Sequence, residues 1–192
     1  MYGKDRDGIG RAVLVSTDGM PITQTSLEDA ALEGRLFSAA NQAVVTTTAA
    51  MATTWTGLGV ANPTGSGKLY RFWEFGWAQA TVMNTEGPIG VFAATYGAGM
   101  AQTIAPQCAR LAYKTTTAFA DSAATISSPL LLRVGGSSME GTIGTAPSMS
   151  PNVLDLKGAI IIPPGSGLYS YTYAIQTASI MFYMVWEEID TP

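Results

Sequence analysis

Leu69, Arg71, Trp73, Phe75 and Trp77 alternate with Tyr70, Phe72, Glu74, Gly76 and Ala78. A period of two sends successive side chains to opposite faces of an extended strand, and a helix cannot accommodate it. The signature recurs at Ile180, Phe182, Met184 and Trp186, which share one face of a strand over Ser179–Ile189. Val44–Thr48 and Thr53–Thr56 are rich in β-branched residues, the second run ending at Gly57. Gly90–Tyr96, Leu111–Phe119 and Leu130–Val134 read as further strands, as do Val153–Ile162 and Leu168–Thr177, joined by Pro163-Pro164-Gly165-Ser166-Gly167. About eight short strands punctuated by turn residues predict an all-β chain, a jelly-roll-like antiparallel β-sandwich. The stretch Gly97–Arg110 lacks alternation and reads as a long loop or one helical turn.

Charge divides the chain unequally. Lys4, Asp5, Arg6, Asp7, Arg11, Asp18, Glu28, Asp29, Glu33 and Arg35 all fall in residues 1–35, and the 157 residues that follow carry only 14 further charges. Residues 1–40 are therefore read as an extended N-terminal arm and residues 41–192 as the sandwich domain. Within the arm, Arg11–Val15 is a short strand closed by Asp18-Gly19, a turn dipeptide that tolerates positive φ, and Pro21–Thr23 is its expected return partner. Ser26-Leu27-Glu28-Asp29 opens a short helix as a capping box, which Gly34 limits to about two turns. A lone hairpin or a two-turn helix is marginal in water, so the arm must pack on its own body or be ordered by a partner.

Several functions are excluded by what is missing. The chain has no His and one Cys, Cys108, so a His-based triad, a His- or Cys-built zinc site and an intrachain disulfide are impossible. A net charge of −4 argues against a nucleic-acid partner. No apolar run reaches the roughly 18 residues of a membrane span, and Met1–Asp7 is too charged for a signal peptide, so the protein is expected to be made in a cytoplasm. Asn62-Pro63-Thr64-Gly65-Ser66-Gly67-Lys68-Leu69 departs from a phosphate-binding loop at its first glycine and after its lysine, and a strand follows where a helix is needed. Of Glu187, Glu188 and Asp190, two are adjacent in a strand and so face opposite sides, poor geometry for one shared site, and the cluster is expected to be a solvated terminus. Cys108 is expected to be a buried thiol. No catalytic residue and no cofactor is expected, and the chain is read as a non-enzyme.

Only 12% of residues are charged, so a solitary body would expose apolar area, which proteins usually cover by assembly. A homo-oligomer is expected, a trimer first. Trp73, Phe75, Trp77, Phe182 and Trp186 are the expected strand face for the core and the oligomer. An aromatic platform stacking on a glycan is the alternative use of the many Trp and Tyr residues.

Val44-Val45-Thr46-Thr47-Thr48, Trp55-Thr56-Gly57-Leu58 and Asn62–Lys68 together resemble jelly-roll virion proteins of tailed bacteriophages. So do Ile160–Gly167, Thr177-Ala178, Val185-Trp186-Glu187-Glu188, and the arm segments Asp7–Val13 and Arg35-Leu36-Phe37. The resemblance implies a head decoration, or cement, protein: a virion component on the capsid exterior, made in the host bacterium, commonly trimeric, binding the major capsid protein. The arm residues expected to touch the shell are Arg6, Arg11, Val13, Val15, Arg35 and Phe37. The competing expectation is a carbohydrate- or host-receptor-binding head of a tail fibre or spike.

Overall fold

A computed structural model describes residues 2–4, 10–12, 26–80, 85–96, 100–138 and 152–191. The expected antiparallel sandwich forms. Near the N-terminus β1 (Tyr2–Lys4) pairs with β2 (Gly10–Ala12), and α1 spans Ser26–Leu32. The sandwich consists of β3 (Leu36–Ala40), β4 (Thr54–Asn62), β5 (Lys68–Gln79), β6 (Gly87–Tyr96), β7 (Gln107–Cys108), β8 (Phe119–Ser138), β9 (Asn152–Ile162), β10 (Ser166–Thr172) and β11 (Ile180–Asp190). One sheet has the order β7-β3-β11-β5-β9; the other, β10-β4-β8-β6, closes on itself as a ring. Every pairing is antiparallel, and from β3 to β11 each strand lies in the opposite sheet from the one before it.

The ring closes because β8 serves two partners. Its first part, from Phe119 to Thr125, pairs with β4, and Ile126 to Ser138 pairs with β6. Three register shifts along β6 supply the bend, as bulges do by adding local twist. At Gly90 a Cβ would lie 2.0 Å from the Arg133 carbonyl oxygen, so only glycine lets the two backbones approach this closely.

Two apolar cores result. Between the sheets lie Phe37, Tyr70, Phe72, Phe75, Trp77, Leu156, Ile160, Phe182, Met184 and Trp186 from the five-stranded sheet, facing Leu58, Val60, Ile89, Val91 and Leu168 from the ring. Inside the ring are Trp55, Phe92, Ala94, Ile126, Tyr169 and Tyr171. The period of two separates them: on β6, Ile89 and Val91 face the other sheet while Phe92 and Ala94 face the ring interior.

Several expectations are corrected. The sandwich begins at Leu36, not at residue 41, because β3 is an interior strand hydrogen-bonded to both β7 and β11. Val44–Thr48 reduces to a single bridge, Val45 to Ile180. Of Leu111–Phe119 only Phe119 belongs to a strand. The strand paired with Gly10–Ala12 is Tyr2–Lys4, while Val13, Val15, Asp18-Gly19 and Pro21–Thr23 lie outside the described residues. On β5 the alternation changes phase. A register shift against β9 between Phe72 and Glu74 turns Tyr70 and Phe72 inward before it, and Phe75 and Trp77 inward after it. Trp73, at the shift, is half-buried outside both cores and does not join Phe75 and Trp77.

Candidate functional site

Two surface regions stand out: a polar clamp where α1 meets the sheet, and an apolar strip along β8 and β9.

The clamp is built on β11. Glu187 and Glu188 are 3% and 6% exposed, so the expected solvated terminus is wrong for both. Successive strand residues face opposite ways, and each carboxylate finds its own partners. Glu187 Oε1 pairs with Arg35 Nη1, and Arg71 Nη1 stands 3.6 Å from Oε2, at ion-pair range but beyond hydrogen-bond reach. Glu188 Oε1 accepts hydrogen bonds from the Thr116 hydroxyl and, at 3.1 Å, from the Thr117 amide. Asp190 alone behaves as expected. It is exposed and pairs with Lys68 at 2.5 Å, a hydrogen bond and charge that hold its carboxyl below the usual carboxylate range. A buried carboxylate keeps its charge only when paired, so Arg35 is structurally required by Glu187.

Arg35 also reaches back to α1. Its Nε lies 2.7 Å from Glu33 Oε2 and its Nη2 3.5 Å from Asp29 Oδ2. The helix ends as the sequence foretells, with Gly34 at φ +68°. There the Gly34 amide donates to the Ala31 carbonyl and the Arg35 amide to the Ala30 carbonyl, the Schellman arrangement. From the loop after β7, Arg110 Nη1 donates to the Leu32 carbonyl at 3.0 Å and Lys114 Nζ to the Glu33 carbonyl at 2.9 Å. Both are cations at the negative end of the helix.

The strip is apolar. Leu130, Leu131 and Val134 on β8 and Val153 and Ile161 on β9 are exposed, Leu130 by 64% and Ile161 by 50%. Between the two strands runs an open cleft of about 430 Å³ lined by Ala93, Leu130, Leu132, Ile160, Ile162 and Pro163, among others. β9 is the long edge of the five-stranded sheet, yet it is a poor template for another strand. Where β5 advances from Phe72 to Glu74, β9 advances from Ile160 back to Asp155, so residues 156–159 bulge. Lys157 and Gly158 have positive φ, and the Lys157 amide turns onto Asp155 Oδ1 at 2.9 Å. A bulge and a lysine on an edge are devices that block strand addition. The opposite edge, β7, is only two residues long.

Phe37, expected to touch a shell, is 2% exposed and stacks on Trp186, so it is a core residue. Arg35 is committed to the clamp. Arg6 lies outside the described residues, and of Arg11 only its backbone place on β2 is described. Phe75, Trp77, Phe182 and Trp186 are buried between the sheets, which makes them a core face and removes them from any oligomer contact. Trp55 is buried in the ring, leaving no tryptophan fully exposed. Among the described residues the exposed tyrosines, Tyr113 and Tyr173, lie over Gly34 and Gly87 respectively and form no shared platform. Cys108 is buried. Among the described residues no group of three His, Cys, Asp or Glu side chains converges as a metal site. Comparison with protein-family profiles, curated proteins and solved structures returned no match.

Proposed function

We propose that this chain is a structural subunit of a virus particle, a decoration protein that binds the outside of an assembled phage head as an oligomer, a trimer first. The observation that carries this reading is the exposed strip of Leu130, Leu131, Val134, Val153 and Ile161 in a chain with so little charge. Side chains of this kind on β8 and β9, strands of opposite sheets whose Leu130 and Ile161 line one open cleft beside a blocked edge, suit face-on contact with another protein surface. The mechanism is linkage: a subunit that binds only the assembled lattice stabilises that lattice, and several linked subunits multiply a weak single contact. The virion resemblance supplies the partner, the major capsid protein.

The test mixes purified protein with undecorated heads and follows retention and heat resistance, alongside the native mass of the free protein. Wild type is expected to be oligomeric and to protect heads. Leu130→Lys with Ile161→Lys is expected to abolish both while leaving the far-UV circular dichroism unchanged. A solitary monomer with no affinity for heads overturns the reading.

A further inference from the structure

We propose that α1, hinged at Gly34, is a salt-operated strap: it docks on the sandwich through screened ionic contacts and unfolds from it as ionic strength rises, while the sandwich stays intact. The inference rests on the geometry of the single chain and goes beyond the decoration reading.

A seven-residue helix does not hold itself together in water, where roughly 12–15 residues are the practical minimum. Its conformation is therefore tied to its docking. Apolar burial is modest: Ala30 is buried, Leu27 and Ala31 are half-buried, and Leu32 is 56% exposed. What remains is polar: Arg35 to Asp29 and Glu33, and Arg110 and Lys114 on the last carbonyls. Tyr113 completes the seat. A Cβ at Gly34 would lie 2.3 Å from its ring, and the Arg110 guanidinium lies 3.9 Å from the ring centroid.

These contacts differ in exposure from the one beneath them. The side chains of Asp29 and Glu33 are about half exposed, whereas that of Glu187, the sheet-side partner of Arg35, is 4% exposed. Salt shortens the screening length from about 10 Å at 0.1 M to about 3 Å at 1 M and acts on exposed charges far more than on buried ones. The outer pairs weaken while Arg35 stays fixed to β11. The hinge then falls between them, at Gly34, whose φ of +68° glycine adopts freely.

Hydrogen exchange with mass spectrometry on the full chain, at about 0.05 M and about 1 M NaCl, reads this out. The amides of Glu33, Gly34 and Arg35, which close the helix, should lose protection about tenfold at high salt, and β11 should not change. NaCl strengthens rather than weakens apolar burial, so a loss of protection identifies ionic contacts. Arg110→Ala with Lys114→Ala should expose the same amides already at low salt and abolish the salt response. Equal protection of these amides at both salts, an unaltered double variant, or parallel loss of protection in β11 would overturn the strap. None of these outcomes depends on whether the protein binds heads.

Discussion

The two apolar cores are made differently. Between the sheets the work is done by volume. Trp186 lies 6.2 Å from Phe37, 6.4 Å from Tyr70 and 6.1 Å from Phe72, and Phe75 stacks on Phe182 at 5.7 Å. The Trp186 Nε1 has no hydrogen-bond partner, so the indole is held by packing alone. Inside the ring, Trp55 meets Tyr169 edge-on at 5.0 Å and its Nε1 donates to the Ser170 carbonyl at 3.0 Å. The Ser170 hydroxyl in turn accepts from the Leu58 amide at 3.0 Å. An open sheet needs only to be filled, whereas a closed one must also be curved, and here the register shifts along β6 and the close backbone approach at Gly90 accompany the curvature.

This contrast can be broken most forcefully at Trp186. Trp186→Ala removes the hub of the inter-sheet aromatics and is expected to lower stability by about 3–5 kcal/mol, read as the midpoint shift in urea unfolding. A loss under about 1 kcal/mol would mean the sheets are held by something other than this cluster. Next comes Gly90→Ala, which forces the β6 and β8 backbones apart in the ring. A cost of about 1–3 kcal/mol is expected, with near-UV circular dichroism reporting the change around Trp55. An unaffected protein would show that ring closure tolerates slack.

The smallest effect sharpens the comparison with a matched pair. Tyr70, between the sheets, shares a hydrogen bond of 2.9 Å with Thr117 Oγ1, whereas the hydroxyl of Tyr169, inside the ring, is buried without a partner. Tyr70→Phe should therefore cost about 0.5–1.5 kcal/mol at neutral pH, and Tyr169→Phe should be neutral or slightly stabilising. Burial raises the pKa of both phenols above the ordinary value of 10.0. The folded state thus keeps protons that the unfolded chain releases, so stability is full below about pH 10 and falls as pH rises beyond it. Either Phe variant should flatten that alkaline fall in unfolding titrations, and an unchanged slope in both would count against the burial of these hydroxyls.

Strand identity was legible where large apolar residues recur at a period of two without a change of phase, as at Ile180, Phe182, Met184 and Trp186 on β11. It failed in phase on β5, where Tyr70, Phe72, Trp73, Phe75 and Trp77 put large residues on both faces and no local signal marks the bulge. Thr115-Thr116-Thr117 favoured a strand by propensity, yet Thr116 and Thr117 spend their polar groups on Glu188 and Tyr70, partners distant in sequence. For the same reason Glu187 and Glu188 read as solvated: the decision to bury a carboxylate was made by Arg35 and the threonine loop, which local reading cannot see. The low charge did foretell exposed apolar surface, though not that β8 and β9 would carry it.

Strict alternation of strands between the sheets bears on the order in which the protein can be made. β11 is the shared neighbour of β3 and β5, and β10 the shared neighbour of β4 and β6. A ribosome must therefore deliver residues 166–190 before the ring can close and before the five-stranded sheet acquires its central strand, and no pair of consecutive sandwich strands can form a hairpin meanwhile. Until then β8 can pair with β4 and β6, β9 with β5 and β7 with β3, all contacts distant in sequence, so assembly is comparatively slow and both layers are completed late.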